Sequence, residues 1–352
     1  MDKKLNSALK TISYWRLAQI LFLIVGLVII HCLIYSPNLG ITLLWNVLVP
    51  VAPVLLVVFA GVWRNVCPLA TATLIPNHVG LTFRKKLSHN QVGLFNLIGV
   101  ISLFIIVPLR HAIFDMNGLA SALLLIGLAL IGITLNVFYN WKSAWCSGVC
   151  PVHSVEKLYS SRVLISPPNV QCKSCHNCIA PCPDSTPNFH PLISVKTVYH
   201  KISGHLIVGG LPGFIWGWFQ VADRDVIPDF IGLLKDYTLP VIGLMVTLAL
   251  FMTLQKVVDK KHHNLMIRLF AVASVSCYYW YRIPALIGFG IYPKDGLLLD
   301  IHQSIPYWSV RLITILTSIF FMYWMVGREH QKKSWTIRPN AIRVNQHYSS
   351  EK

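Results

Sequence analysis

The chain has 352 residues, of which 55% are hydrophobic and only 12% charged, and its mean hydropathy is +0.58. A soluble domain carries about 25% charged residues, and here the apolar residues come in long runs, so a water-solvated globule is excluded in favour of a chain whose solvent is lipid. The formal charge of +17 sits in short clusters between those runs rather than on one continuous basic face, which sets nucleic acid aside as a partner.

Eight membrane spans are expected, each near the roughly 20 residues that a hydrocarbon core of about 30 Å requires. They fall at 14–35, 41–62, 92–108, 119–138, 203–219, 238–258, 265–291 and 306–326. The first is long and is followed by more spans, so it reads as a span and not as a signal peptide. The fifth is interrupted by Gly209, Gly210 and Pro212. The seventh is overlong, and Pro284 should kink it or end it early.

Cations mark one side. The N-terminal segment carries Lys3, Lys4, Lys10 and Arg16, and the loop after span two carries Arg64, Arg84, Lys85 and Lys86. The loop after span four adds Lys142, Lys157, Arg162, Lys173, Lys196 and Lys201, and the loop after span six and the tail continue the series. The opposite loops are acidic, with Asp115, Asp223, Asp225, Asp229, Asp236, Asp295 and Asp300. The positive-inside rule then places both termini and the long loop in the cytoplasm, in a multi-pass protein of a bacterial inner membrane. Six spans would keep the same clusters on the same side.

Nine cysteines stand at 32, 67, 146, 150, 172, 175, 178, 182 and 277. Four of them form Cys172-x-x-Cys175-x-x-Cys178-x-x-x-Cys182-Pro183, the ligand run of bacterial ferredoxins. That spacing lets a tight loop wrap one corner of a [4Fe–4S] cubane. Zinc sites instead split paired cysteines across a longer loop, and a disulfide is disfavoured on the cytoplasmic side. Upstream, Trp145-Cys146-Ser147-Gly148-Val149-Cys150-Pro151 repeats the second half of the run. A fainter echo is Trp63-Arg64-Asn65-Val66-Cys67-Pro68. Aligning the Cys-Pro pairs puts Trp63 where Cys146 falls, so the tryptophans are one residue out of step; the echo reads as an internal repeat whose first copy lacks a ligand.

Two ligand sets stay open. One cluster would take Cys172, Cys175, Cys178 and either Cys182 or Cys150. With two clusters, Cys172, Cys175, Cys178 and Cys150 hold the first, and Cys182, Cys146 and Cys67 are left for a second that lacks a fourth ligand. Cys32 and Cys277 lie inside spans and read as small buried residues.

The Trp-Cys-x-x-x-Cys-Pro at the end of a span, followed by the four-cysteine loop with Cys182-Pro183-Asp184, resembles the membrane-bound polyferredoxins of the NapH, MauN, NosR and CcoG types. The resemblance is specific over 145–187 and extends in outline to the first four spans. It implies cytoplasmic [4Fe–4S] centres anchored to a helical bundle and electron transfer between the quinone pool or a cytoplasmic donor and a partner system. This chain departs from it in having one full cysteine run plus one half, and about four spans beyond the loop.

The expected fold is an all-α integral membrane helical bundle of about eight transmembrane helices with a cytoplasmic ferredoxin-like iron–sulfur loop domain. Its parts are an N-terminal four-helix membrane region (1–139), the cluster loop (140–202), a C-terminal four-helix membrane region (203–327) and a basic tail (328–352). The expected function is electron transfer in a membrane complex, with lipid and a quinone or redox protein as partners. An assembly factor for a respiratory metalloenzyme and a relay subunit of a larger complex are the alternatives.

The remaining candidates read more plainly. His31, His111, His205 and His302 read as hydrated interfacial side chains, with a b-type haem or a quinone head group as the functional alternative. His262 and His263 lie in a basic loop and read as solvated. Arg282 and Arg311 fall inside spans, where they either snorkel or pair internally, or else meet a quinone or lipid. Tyr278, Tyr279, Trp280 and Tyr281 read as an interfacial aromatic belt. No phosphate loop, Ser–His–Asp order or nucleotide fingerprint is present.

Overall fold

The computed structural model describes residues 2–139, 142–165, 190–193, 197–292 and 295–328, with side chains described from Tyr14 onward apart from Lys142 and Ser143. The described residues form helices and no strands. Six helices are long and apolar enough to cross a membrane. They are Tyr14–Tyr35, which is the apolar part of α1 (Asp2–Tyr35), then α2 (Pro37–Val58), α6 (His89–Phe114), α7 (Gly118–Phe138), α11 (Phe230–Val257) and α13 (Tyr307–Gly327). Their apolar faces are open to the surroundings, as with Leu17, Leu21, Leu123, Leu130, Val246 and Ile319. A multi-pass membrane protein follows from that pattern.

The expected fifth and seventh spans form helices of similar length, α10 (residues 198–218) and α12 (His263–Leu286), but neither matches the apolarity of the six. The first is largely enclosed by its neighbours, and the second packs between them while exposing Leu265 and Leu269. From Ile207 to Trp218 all of α10 is buried except Trp216. A helix shielded from lipid by protein has no need to be uniformly apolar. The α12 helix passes through Pro284 and ends two residues later, as its proline suggested.

The tightest packing in the bundle is between α10 and α11, and glycine explains it. Gly209, Gly213 and Gly217 recur at four-residue spacing on one face of α10. A β-carbon on Gly213 would lie 1.9 Å from the Gly243 carbonyl oxygen, and one on Gly217 would lie 2.2 Å from that of Leu239. Small residues at this spacing let two backbones touch where lipid supplies no hydrophobic drive. Thr247 seals the crossing, accepting from Gly213 N–H and donating to the Gly210 carbonyl.

In α2, Pro53 breaks the backbone ladder. The Tyr279 hydroxyl fills the gap, accepting from Val54 N–H at 3.0 Å and donating to the Pro50 carbonyl at 2.7 Å. Tyr278 and Tyr279 are both buried. The aromatic-belt expectation is therefore corrected for these two. They are core residues, and Tyr279 repairs a proline break.

Residues 59–85 and 142–165 are the main departure from a simple bundle. The first segment contains α3 (Ala60–Val66), α4 (Pro68–Ala72) and α5 (Ile75–Val79); the second contains the π-helical α8 (Lys142–Val149) and α9 (His153–Tyr159). Each enters the bundle and returns to the end it came from. Pro68 packs on Gly26, in the middle of α1. The chain then comes back along α7, through Asn136 Nδ2 to the Thr73 carbonyl and Phe83 N–H to the Val137 carbonyl.

In the second segment, Gly148 and Val149 lie against Gly99, roughly 15 Å along α6 from its His89 end. Tyr159 reaches Ser274 in α12 at 3.0 Å, and Leu164 N–H returns to the Val58 carbonyl. Two spans followed by a helical hairpin with Cys-Pro at its turn thus occur twice. The stretch expected as the start of a loop domain, 142–162, is packed into the bundle instead.

Candidate functional site

The hairpin turns bring cysteines together. Cys67 precedes Pro68 at the first turn, and Cys150 precedes Pro151 at the second. Cys67, Cys146 and Cys150 pack around the same apolar group of Ala70, Leu74 and Trp145. Burial pushes the Cys150 thiol up to about 12, and the nearby Cys67 thiol adds to the effect. Burial raises Cys67 likewise. A soft metal or a cluster would bind these thiols as thiolates, displacing their protons.

Among the described residues no three metal-ligating side chains gather closely enough to hold an ion. The cysteine run at Cys172, Cys175, Cys178 and Cys182 lies outside the described residues. Cys32 and Cys277 stand apart from the hairpins, and Cys277 packs in the main core as expected of a small buried residue.

The two hairpins are joined by charge. Arg64, from the first, pairs with Glu156, from the second, both largely buried. Sequence placed Arg64, Lys157 and Arg162 in cytoplasmic loops; the structure buries Arg64 and Lys157 inside the bundle.

A second polar group lies at the opposite end, where α6, α10 and α12 meet the loop before α13. Arg110 pairs with Asp115 at 3.3 Å, and His111 pairs with Asp223 and also contacts the Trp218 carbonyl at 3.1 Å. Arg282 donates to the Trp45 carbonyl at 2.6 Å and to Asn46 Oδ1 at 2.7 Å. Burial pushes the Asp115 carboxyl up to about 6, against the pull of Arg110. Burial also works to raise Asp223, but the His111 hydrogen bond and the Arg110 charge outweigh it and hold that carboxyl below its ordinary range. A cavity of about 30 Å³ opens among these groups, with room for about two waters.

The other candidates are placed simply. His111 is buried in this polar group rather than hydrated. His31 packs on Tyr35, His205 bonds Gln255 and the Lys201 carbonyl, and His302 bonds Asp300. His263, expected in solvent, bonds the Val258 carbonyl. Arg311 sits over Trp280 and Tyr307, while Arg282 has neutral acceptors inside the bundle. His190 was missed. It is fully buried, neither ring nitrogen has a partner among the described residues, and burial lowers it to about 4. A histidine in a Pro-rich stretch gives no sequence signal of that burial.

No protein-family model, curated protein or solved structure matches this chain.

Proposed function

We propose that the chain is a membrane-bound iron–sulfur protein that passes electrons between a quinone or cytoplasmic donor and a partner redox system. The observation that carries this reading is the Cys172–Cys182 run with its Cys-x-x-Cys-x-x-Cys-x-x-x-Cys-Pro spacing. It follows directly on a hairpin whose Cys150 meets Cys67 inside the bundle. The basic clusters favour both termini and the run in the cytoplasm of a bacterial cell, with α10 and α12 crossing beside the six apolar helices to make eight.

Cys172, Cys175 and Cys178, with Cys182 or Cys150, would hold a [4Fe–4S] centre; Cys146 and Cys67 are donors for a second. Such a centre supplies one-electron exchange when bound. The protein's own part is to hold the thiols out of water and to fix their separation through the Arg64–Glu156 pair.

A second reading is favoured by the Cys67, Cys146 and Cys150 thiols gathered at the hairpin turns: handling of a metal for a partner enzyme during assembly. Loss of the chain would then leave the partner protein present but lacking its metal.

The test is Cys175→Ala in protein purified without oxygen. Loss of the cluster's visible absorbance and of about four irons per chain is expected. Full retention of both would overturn the proposal.

A further inference from the structure

The cavity at the end of the bundle opposite the hairpins carries an imbalance that electron transfer does not use. Its lining includes Arg110, His111, Trp218, Asp223, Arg282 and Asp295. The carboxylates there are already engaged: Asp223 with His111, Asp295 with the Asp223 N–H, and Asp115 just outside with Arg110. The groups left without partners are donors. Arg282 Nε and Trp218 Nε1 are both buried, and among the described residues neither has an acceptor.

Arg282 is 2% exposed, and among the described residues no carboxylate lies within ion-pair distance of it. Its two acceptors, the Trp45 carbonyl and Asn46 Oδ1, are neutral, and Arg110 shares the second at 3.4 Å. A buried guanidinium with neutral partners and an unmatched N–H is costly. An anionic oxygen would meet both needs.

We propose that this cavity binds a small carboxylate, with Arg282 as the charge partner and Trp218 Nε1–H as a second donor. The volume limits the ligand to a few heavy atoms, the size of formate or acetate. Both Nη2 protons of Arg282 are already donated, and Nε–H is the buried donor it has left. The two oxygens of a carboxylate can accept from Arg282 Nε–H and Trp218 Nε1–H separately, where a spherical anion offers a single centre. Gly296 is part of the design. It takes φ +64°, and a β-carbon there would lie 2.0 Å from Arg282 Nη1, so glycine leaves the space in which the guanidinium rests.

The test is calorimetric titration of the detergent-purified full chain with formate, with chloride at matched ionic strength as the control. Saturable formate binding with a Kd near a millimolar is expected of so small a ligand. Arg282→Gln should weaken it at least tenfold, and Trp218→Phe severalfold. If Arg282→Gln does not fold, Trp218→Phe decides alone. No saturable formate binding, equal binding of chloride, or unchanged affinity in a folded variant would overturn the proposal. The readout does not depend on iron content, so it stands or falls apart from the cluster reading.

Discussion

Arg64 and Glu156 form a largely buried ion pair between two hairpins that share no helix, and it ties the Cys67 turn to the Cys150 turn. Removing one member of a buried pair leaves the other charge uncompensated and costs about 3–5 kcal/mol. Glu156→Gln should therefore lower the unfolding midpoint sharply. Arg64→Met with Glu156→Leu should recover most of the loss, because no charge is then left stranded. A double variant no more stable than Glu156→Gln would show that the pair is not the tie between the hairpins.

Tyr279 offers a test of the proline repair in α2. Tyr279→Phe keeps the ring but strips the hydroxyl from between the Pro50 carbonyl and Val54 N–H. Leaving buried backbone groups unsatisfied costs about 1–3 kcal/mol each. The variant should melt earlier than wild type and show faster amide exchange in α2. Tyr278→Phe, at a hydroxyl without a partner among the described residues, should change little or stabilise.

These features also mark where sequence stopped being informative. The apolar part of α1 and the bounds of α7 were legible because their lipid-facing residues are uniformly apolar, and an unbroken run needs no tertiary information to read. The second hairpin was not. His153, Ser154, Glu156 and Lys157 look like loop residues, and their polarity is tolerated at depth only through partners far away in sequence, such as Asn96 for Ser154 and Arg64 for Glu156. Arg282 was visible as an intramembrane charge, but its orphaned donor and the cavity beside it depend on three other helices. Cys67 and Cys150 were legible as a repeat, while their meeting inside the bundle was not.

His190 predicts a pH dependence. Its folded value of about 4 lies below the ordinary 6.5, so the unfolded chain takes up the proton first. Stability from this group is complete above about 6.5 and is lost as pH falls toward 4, amounting to about 3 kcal/mol. Asp115, raised to about 6, contributes with the opposite sign, losing its share as pH rises. Comparing wild type with His190→Asn isolates the histidine. The melting temperature should fall more steeply between pH 7 and pH 5 in wild type, and parallel curves would contradict the assignment.

Gly296→Ala should damage the arginine site without touching the cysteines. The substitution places a β-carbon against the Arg282 guanidinium and puts a side chain at positive φ, a conformation that costs an L-residue about 1–2 kcal/mol. Iron content should be unchanged, while thermal stability falls and formate affinity drops with it. Gly127→Ala, where nothing lies within contact, serves as the neutral control.

The most direct test of the central reading is iron and acid-labile sulfide per chain in anaerobically purified protein, with electron paramagnetic resonance after reduction. The account predicts at least four irons with matching sulfide and a reduced [4Fe–4S] signal. About eight would bring Cys150 into the first centre and make Cys182, Cys146 and Cys67 ligands of a second. Protein kept free of oxygen that contains neither iron nor sulfide would contradict it.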